Sequence, residues 1–353
     1  MIEMKKVFIN HSRPTISKLD INNVIRVLKS GEIASNKEVA KFEKELSDYI
    51  GHDEGIAVNS GTNALYLTLL SLDVNKDDEV ILPSYLCIAP LNAITYLGAK
   101  PKLVDINEND YNLSLGEVKK NITKKTKAII APHMFGDCIR DIDEIVSLGI
   151  PVIEDCALSI GTTLNGKKAG SFSDLAIFSF YATKVITTGH GGMILSSSKN
   201  ASDKIRDYMQ YDNRERYNKS FNFRMTDIQA AIGRSQLSNL ENLINRRREI
   251  AERYNEEFKY KDSIIIPRRH EDSIYFRYII EVDDASKFME KISKKGVECK
   301  KPIYKPLHNY FGVDNKNFQN TEKAYKKYVS IPIYPSMTRK KIDYIIKAIL
   351  ELK

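Results

Sequence analysis

Apolar positions along the chain fall into two alternating rhythms. Short unbroken runs read as buried strands: Gly55-Ile56-Ala57-Val58, Glu79-Val80-Ile81-Leu82, Pro101 to Val104, Lys127 to Ala131, Pro151-Val152-Ile153-Glu154-Asp155, Leu175-Ala176-Ile177-Phe178 and Met193-Ile194-Leu195. Between them lie stretches with helical spacing. Residues 17–50 predict two helices. The first opens at Ser17-Lys18-Leu19-Asp20, shows Ile21, Val24, Ile25 and Leu28 on one face, and ends at Gly31. The second carries Val39, Phe42, Leu46 and Tyr49 and stops at Gly51. Further helices are expected through Leu65, Leu69 and Leu72, and over residues 88–97. This alternation predicts an α/β fold of three layers, α/β/α, with a mainly parallel sheet. In such sheets ligands gather beyond the carboxyl ends of the strands.

After Leu195 the rhythm changes. The polar, aromatic segment Tyr211 to Arg224 is expected to cross the surface. Residues 226–258 predict one or two long helices, with Ile228, Ala231, Ile232, Leu237, Leu240 and Leu243 as the apolar face. From about Ile264 the pattern is smaller in scale. A strand is expected from Arg277 to Val282, a helix from Ala285 to Lys295 and a short strand from Val297 to Cys299. A Pro-, Tyr- and Asn-rich loop follows over 302–318, then helices near 320–328 and 338–352. The expected division is a large domain over residues 1–240, including the N-terminal helices, and a small α+β domain over 241–353.

Composition narrows the function classes. The 353 residues are 42% hydrophobic and 28% charged, as in a globular protein. No run is long enough for a membrane span. The stretch MIEMKKVFINHSRP has no apolar core and no cleavage site, so secretion is not indicated. Cys87, Cys138, Cys156 and Cys299 are far apart and form no zinc spacing, so no metal is expected and reduced thiols in a cytoplasm fit. The net charge is +8, but the basic runs are short and lack interleaved aromatics. That argues against nucleic acid and leaves a general attraction for anionic small substrates.

Candidate chemistry centres on Ser173 to Gly192. One lysine, Lys184, stands between a buried strand and the glycine-rich turn Thr188-Gly189-His190-Gly191-Gly192. It reads either as a surface loop residue or as a buried amine, whose lowered pKa suits Schiff-base chemistry. Ser60-Gly61-Thr62 follows a strand and opens a helix. It reads as an ordinary helix cap or as a phosphate site on free N–H groups. Asp155 and Ser179 also end apolar runs. A lysine, a strand-end acid, a phosphate-suited turn and a hydroxyl together are what a pyridoxal phosphate site needs.

The chain resembles the DegT/DnrJ/EryC1/StrS sugar aminotransferases, a branch of the fold-type I pyridoxal phosphate enzymes. The resemblance runs from about Gly31 to Leu350. Its blocks include Ser60-Gly61-Thr62-Asn63-Ala64-Leu65, His133-Met134-Phe135-Gly136 and Pro151-Val152-Ile153-Glu154-Asp155-Cys156-Ala157. They continue with Phe178-Ser179-Phe180-Tyr181-Ala182-Thr183-Lys184, Asn222-Phe223-Arg224-Met225-Thr226-Asp227 and Pro306-Leu307-His308. The resemblance makes Lys184 the Schiff-base lysine and Asp155 the partner of the pyridine nitrogen. It gives Ser60, Gly61, Thr62 and Ser179 to the phosphate and places Ala157 against the ring. It makes Asn222 a phosphate contact to the neighbouring subunit of a homodimer. It sets Tyr304 and His308 near the sugar nucleotide, with Tyr181 and His190 also on the substrate side. For Tyr181 a packing aromatic is the alternative, for His190 a turn residue, and His133 reads as a core histidine.

The implied reaction moves an amino group from glutamate to a nucleotide-linked 3- or 4-keto-deoxy sugar. A lysine at 184 argues against the dehydratase side-branch, for which the resemblance implies histidine. Four positions depart from the pattern: Cys87 for an aromatic residue, Leu86 for threonine, Leu158 for a polar residue near the ring hydroxyl, and His190 for glutamate. Cys87 and Leu158 keep open a different pyridoxal phosphate reaction on a sugar or small keto compound. A non-catalytic regulatory homologue is the alternative from another class, against which Lys184 and Asp155 count.

Overall fold

The computed structural model describes residues 8–108, 110–267, 269 and 271–352. Residues 1–7 of the stretch read for a secretion signal, and Lys353 at the end of the expected small domain, lie outside the described residues.

The N-terminal helices show their causes at their ends. Helix α1 (Lys18–Ser30) begins with a reciprocal cap, in which the Ser17 hydroxyl accepts from the Asp20 N–H and the Asp20 carboxylate accepts from the Ser17 N–H. It ends at Gly31, whose φ of 75° suits a residue without a Cβ. Helix α2 (Lys37–Ile50) has no side-chain cap from Asn36. Asp227 caps it from far along the chain, accepting from the N–H groups of Asn36, Glu38 and Val39 at 2.7, 3.1 and 3.1 Å. The expected apolar stripe of α1 does not face its own chain. Ile21, Ile25 and Leu28 are exposed, and Asp20 and Val27 are buried instead. Asp20 accepts from Gln236, so a polar contact sets the helix's orientation.

The next elements follow the expected order: β1 (Glu54–Val58), α3 (Gly61–Ser71), β2 (Glu79–Pro83), α4 (Ile88–Tyr96) and β3 (Lys100–Val104). Then come α5 (Leu115–Asn121), β4 (Thr126–Pro132), α6 (Ile142–Val146) and β5 (Val152–Asp155). A small hairpin of β6 (Thr163–Leu164) and β7 (Lys167–Lys168) precedes β8 (Leu175–Ser179) and β9 (Gly192–Ser196). Helices α5 and α6 and the hairpin are too short to mark themselves by periodicity.

Seven strands form one sheet in the order β1-β9-β8-β5-β4-β2-β3. From β8 to β3 all pairs are parallel, and β9 runs antiparallel to both its neighbours. Alternate residues of one strand serve opposite faces. Ile81 and Phe178 join the core that includes Phe42 of α2, while Val80 and Ile177 join the core that includes Leu65 of α3 and Ile94 of α4. The expected three layers are therefore present.

Helix α7 (Lys199–Met209) packs on the α3 side, and α8 (Asp227–Ser238) on the α2 side. Helix α9 (Leu240–Phe258) spans two cores. Leu240, Leu243 and Ile244 belong to the sheet core, and Ile250, Ala251, Tyr254 and Phe258 to a separate C-terminal one. That second core holds β10 (Tyr278–Glu281) and α10 (Ala285–Lys294). After α11 (Gln319–Lys327), strand β11 (Tyr328–Ile331) pairs with β10, and α12 (Arg339–Leu350) closes the core. The segment Val297 to Cys299 is not a strand; Val297 makes one isolated bridge, to Ile9.

Candidate active site

Three backbones meet where β1 and β8 end and β9 begins, and glycines let them do so. Strand β1 ends at Val58 and the chain turns through Asn59 and Ser60 into α3. A Cβ on Gly61 would stand 2.8 Å from Ser179 Cβ at the end of β8. A Cβ on Gly192, where β9 begins, would stand 2.6 Å from the Ser60 carbonyl. Side chains at either glycine would therefore push the α3 turn off the sheet. Ser60 caps α3 by accepting from the Asn63 N–H at 3.2 Å, so the capping alternative holds for its hydroxyl. The free N–H groups of the first turn and the neighbouring Ser179 hydroxyl form a cradle suited to a phosphate.

Lys184 lies in the loop joining β8 and β9. That loop closes on itself: Phe180 N–H donates to the Gly191 carbonyl, Lys184 N–H to Tyr181, and Thr188 N–H to Phe180, at 2.9, 2.9 and 3.0 Å. Gly189 turns the chain with a φ of 80°. Lys184 is half-buried, and its Nζ sits 5.6 Å from the centroid of the Phe276 ring. Burial lowers its pKa; Cys87 and Asp155 act to raise it, and Arg277 pushes it down further. Lys184 is thus not a freely exposed loop residue.

Asp155 ends β5, next to β8 in the sheet. It is buried, and burial raises its pKa, opposed by the Ala157 N–H, Lys184 and His133. Its Oδ1 accepts from Ala157 N–H at 3.0 Å, and among the described residues no hydrogen bond uses Oδ2. A protonated pyridine nitrogen would satisfy that oxygen and offset the cost of burying the charge. The residues present therefore fit pyridoxal phosphate: an amine, an acid with a spare oxygen, and a cradle shaped by Gly61.

The other expected residues are spread around this centre. Cys87 immediately precedes α4 and is exposed, and Lys184 and Asp155 are near enough to act electrostatically on its thiol. Ala157 and Leu158 follow β5 and are half-buried. Tyr181 and His190 are exposed and touch each other edge to face, with ring centroids 5.1 Å apart. Asn222 is exposed, and its neighbour Phe223 is tied back to the α3 turn by the Asn59 N–H at 2.8 Å. Tyr304 is 87% exposed.

His308 requires a correction. It is fully buried, so it offers no surface to a substrate in this structure. Ser84 Oγ lies 2.7 Å from its Nδ1, Glu322 Oε1 lies 3.1 Å from its Nε2, and Phe318 stacks on it at 4.2 Å. Its role is to pin the loop that bears Tyr304 to Ser84, just beyond β2.

Sequence reasoning missed three charged groups. Glu154 is fully buried beside Asp155. It accepts from His133 Nε2, from the N–H groups of Gly170, Phe172 and Ser173, all at 2.8 Å, and from the Ser173 hydroxyl at 3.2 Å. His133 Nδ1 accepts from Ile139 N–H, so His133 is the core histidine expected. Cys156 lies close to this pair. Hydrogen bonds already use both imidazole nitrogens and both carboxylate oxygens, leaving no open donor set for an ion. Arg247 and Arg277 are the other two. Both have a signal in retrospect: Arg247 falls on the apolar face of α9, four residues after Leu243, and Arg277 interrupts an otherwise apolar and aromatic run. A groove along β3 and residues 311–320 contains none of the expected site residues.

The family model for DegT/DnrJ/EryC1/StrS aminotransferases matches residues 14–350. The chain belongs to that family. As a DegT/DnrJ/EryC1/StrS enzyme it depends on pyridoxal phosphate. It is 33% identical to GDP-perosamine synthase of Caulobacter vibrioides, over 88% of this chain and 89% of that protein. It is 32% identical to the spore coat polysaccharide biosynthesis protein SpsC of Bacillus subtilis, over 100% and 99%. The Spr1654 protein of Streptococcus pneumoniae, solved in its pyridoxal phosphate form, matches with a TM-score of 0.89 at 26% identity, covering 97% of each chain.

Proposed function

We propose that this chain moves an amino group from L-glutamate to a nucleotide-linked 3- or 4-keto-deoxy sugar, in amino-sugar or cell-surface polysaccharide biosynthesis. The observation that carries the reading is the grouping of Lys184, Asp155 and the Gly61–Ser179 cradle at the carboxyl ends of β5 and β8. The relatives named for perosamine and for coat polysaccharide support the sugar class. When bound, pyridoxal phosphate supplies the carbonyl that receives the amino group and a ring that takes up electron density.

The chain's own residues do the rest. The α3 N–H groups and Ser179 hold the phosphate. Asp155 keeps the proton on the pyridine nitrogen. Lys184 Nζ, its pKa lowered by burial, takes the proton leaving the donor α-carbon. It later delivers a proton to the sugar carbon that acquires the amine. Cys87, Ala157 and Leu158 wall the ring, while Tyr181, His190 and Tyr304 border the sugar side.

The same reading makes the enzyme a homodimer with shared sites. Asn222 is exposed with no described side-chain hydrogen bond, free to reach a second copy, and the outward apolar face of α1 suits burial against one. A cytoplasmic location fits nucleotide-sugar chemistry, and among the described residues no helix is long and apolar enough to cross a membrane. The test is a half-reaction screen. Glutamate should convert the cofactor to its amine form, and at least one nucleotide keto-sugar should reverse that conversion. Conversion by glutamate with no keto-sugar able to reverse it would remove the sugar assignment.

A further inference from the structure

Three basic side chains lie near one aromatic ring. Besides Lys184 Nζ, the guanidinium carbons of Arg247 and Arg277 lie 5.9 and 5.5 Å from the Phe276 centroid. Arg247 is 4% exposed and Arg277 is half-buried. Among the described residues neither pairs with a carboxylate. Arg247 Nη1 donates to the carbonyls of Phe276 and Ile333, but its buried Nε has no partner. Arg277 Nη1 lies 3.2 Å from His11 Nε2. Burial, with Arg277 and Lys300 nearby, holds His11 well below its usual pKa, so it brings no counter-charge.

Such a grouping is costly as it stands. Enclosed guanidinium groups lose hydration, and like charges repel, so a bound anion would offset that cost. Burial lowers both arginines to about 10, which is the same cost seen as proton affinity. A cavity of about 20 Å³ opens between them, lined also by Arg13, Thr183 and Tyr334. It holds one small polar group rather than a whole ligand. Thr183 precedes Lys184, so the cavity borders the reacting centre. The cofactor's phosphate already has its place at the α3 turn. A planar carboxylate suits the paired N–H groups of a guanidinium.

We propose that Arg277, backed by Arg247, forms a carboxylate-binding subsite beside Lys184. The proposal rests on the aminotransferase reading and deepens it. The carboxylate comes either from the amino-acid donor or from a carboxylated sugar, and the test separates the two.

The holoenzyme is titrated with L-glutamate, following the cofactor's absorbance, in wild type, Arg277→Gln and Arg277→Lys. A donor subsite raises the saturating glutamate concentration at least tenfold in Arg277→Gln, changes the limiting rate less, and is partly restored in Arg277→Lys. A sugar subsite leaves glutamate unchanged, but D-glucuronate raises the melting temperature of the wild-type holoenzyme and not of Arg277→Gln, while D-glucose raises neither. Wild type alone gives a further measurement should the variants misfold. At a donor subsite, the α-amide of glutamate or glutamine saturates at least tenfold more weakly than glutamate. If both amides match glutamate and glucuronate gives no shift, the proposal is overturned. It is also overturned if folded Arg277→Gln behaves as wild type in both arms. Absence of any half-reaction in wild type is a different failure, that of the aminotransferase reading, and the glucuronate arm then still decides the subsite.

Discussion

Gly61 lies against Ser179 so closely that a Cβ on the glycine would stand 2.8 Å from the serine Cβ and 3.1 Å from its hydroxyl oxygen. This contact joins the α3 turn to the end of β8 and shapes the cradle. Gly61→Ala should cost about 1–3 kcal/mol of stability, the usual range for overpacking, and weaken cofactor binding. Adding Ser179→Gly should recover the melting temperature but not the affinity, because the hydroxyl is gone. Thermal melts and cofactor titration check both outcomes.

Asp155→Asn separates chemistry from stability. Burial makes the carboxylate unfavourable in the cofactor-free protein, as its raised pKa reflects. The amide should therefore leave the melting temperature of the cofactor-free protein unchanged or higher. The glutamate half-reaction should slow roughly 100-fold or more, the scale of losing a positioned proton-holding group. Stopped-flow absorbance and a cofactor-free melt measure the pair.

The pH dependence of Lys184 has a definite sign. Burial depresses its pKa in the folded chain, and Arg277 adds to that. Between its native value and the ordinary value of about 10.4, the unfolded chain binds a proton that the native chain does not. This group's contribution to stability is therefore least favourable below the native value and improves as pH rises through that window. Covalent capture of pyridoxal phosphate by the cofactor-free protein should accelerate with pH, with a midpoint below that of an ordinary lysine. Arg277→Gln should move the midpoint upward. A midpoint at the ordinary value would contradict the buried-amine assignment.

Glu154→Ala should be among the most damaging substitutions away from the reacting atoms. It would strip acceptors from three buried or half-buried N–H groups and from His133. Each orphaned buried donor costs about 1–3 kcal/mol, so a loss above ~3 kcal/mol is expected in urea unfolding. A loss near that of a surface substitution would show the turn at Gly170–Ser173 held by something else.

The sheet was readable from the chain because its signals are local, and the candidate centre was proposed from the same strand ends. Unbroken apolar runs mark buried strands, and Asp155, Ser60 and Ser179 stand at or just beyond their carboxyl ends. What could not be read depends on distant partners. The cap on α2 comes from Asp227. His308 is buried because Ser84, Glu322 and Phe318 enclose it, and a histidine in a polar loop carries no mark of that. The outward turn of the α1 stripe follows from the Asp20–Gln236 contact. Arg247 and Arg277 come together only through Phe276, 29 positions and one position away respectively. The family resemblance proposed the reacting residues, but it carried nothing on Arg247 and Arg277.

The central claim is that Lys184 is the amine that holds the cofactor and moves the proton. The most direct measurement is borohydride trapping of the purified holoenzyme followed by peptide mapping. The label should sit on the peptide containing Lys184, and Lys184→Ala should take up cofactor without retaining it after reduction and denaturation. Label on another lysine, or trapping that persists in Lys184→Ala, would contradict the assignment.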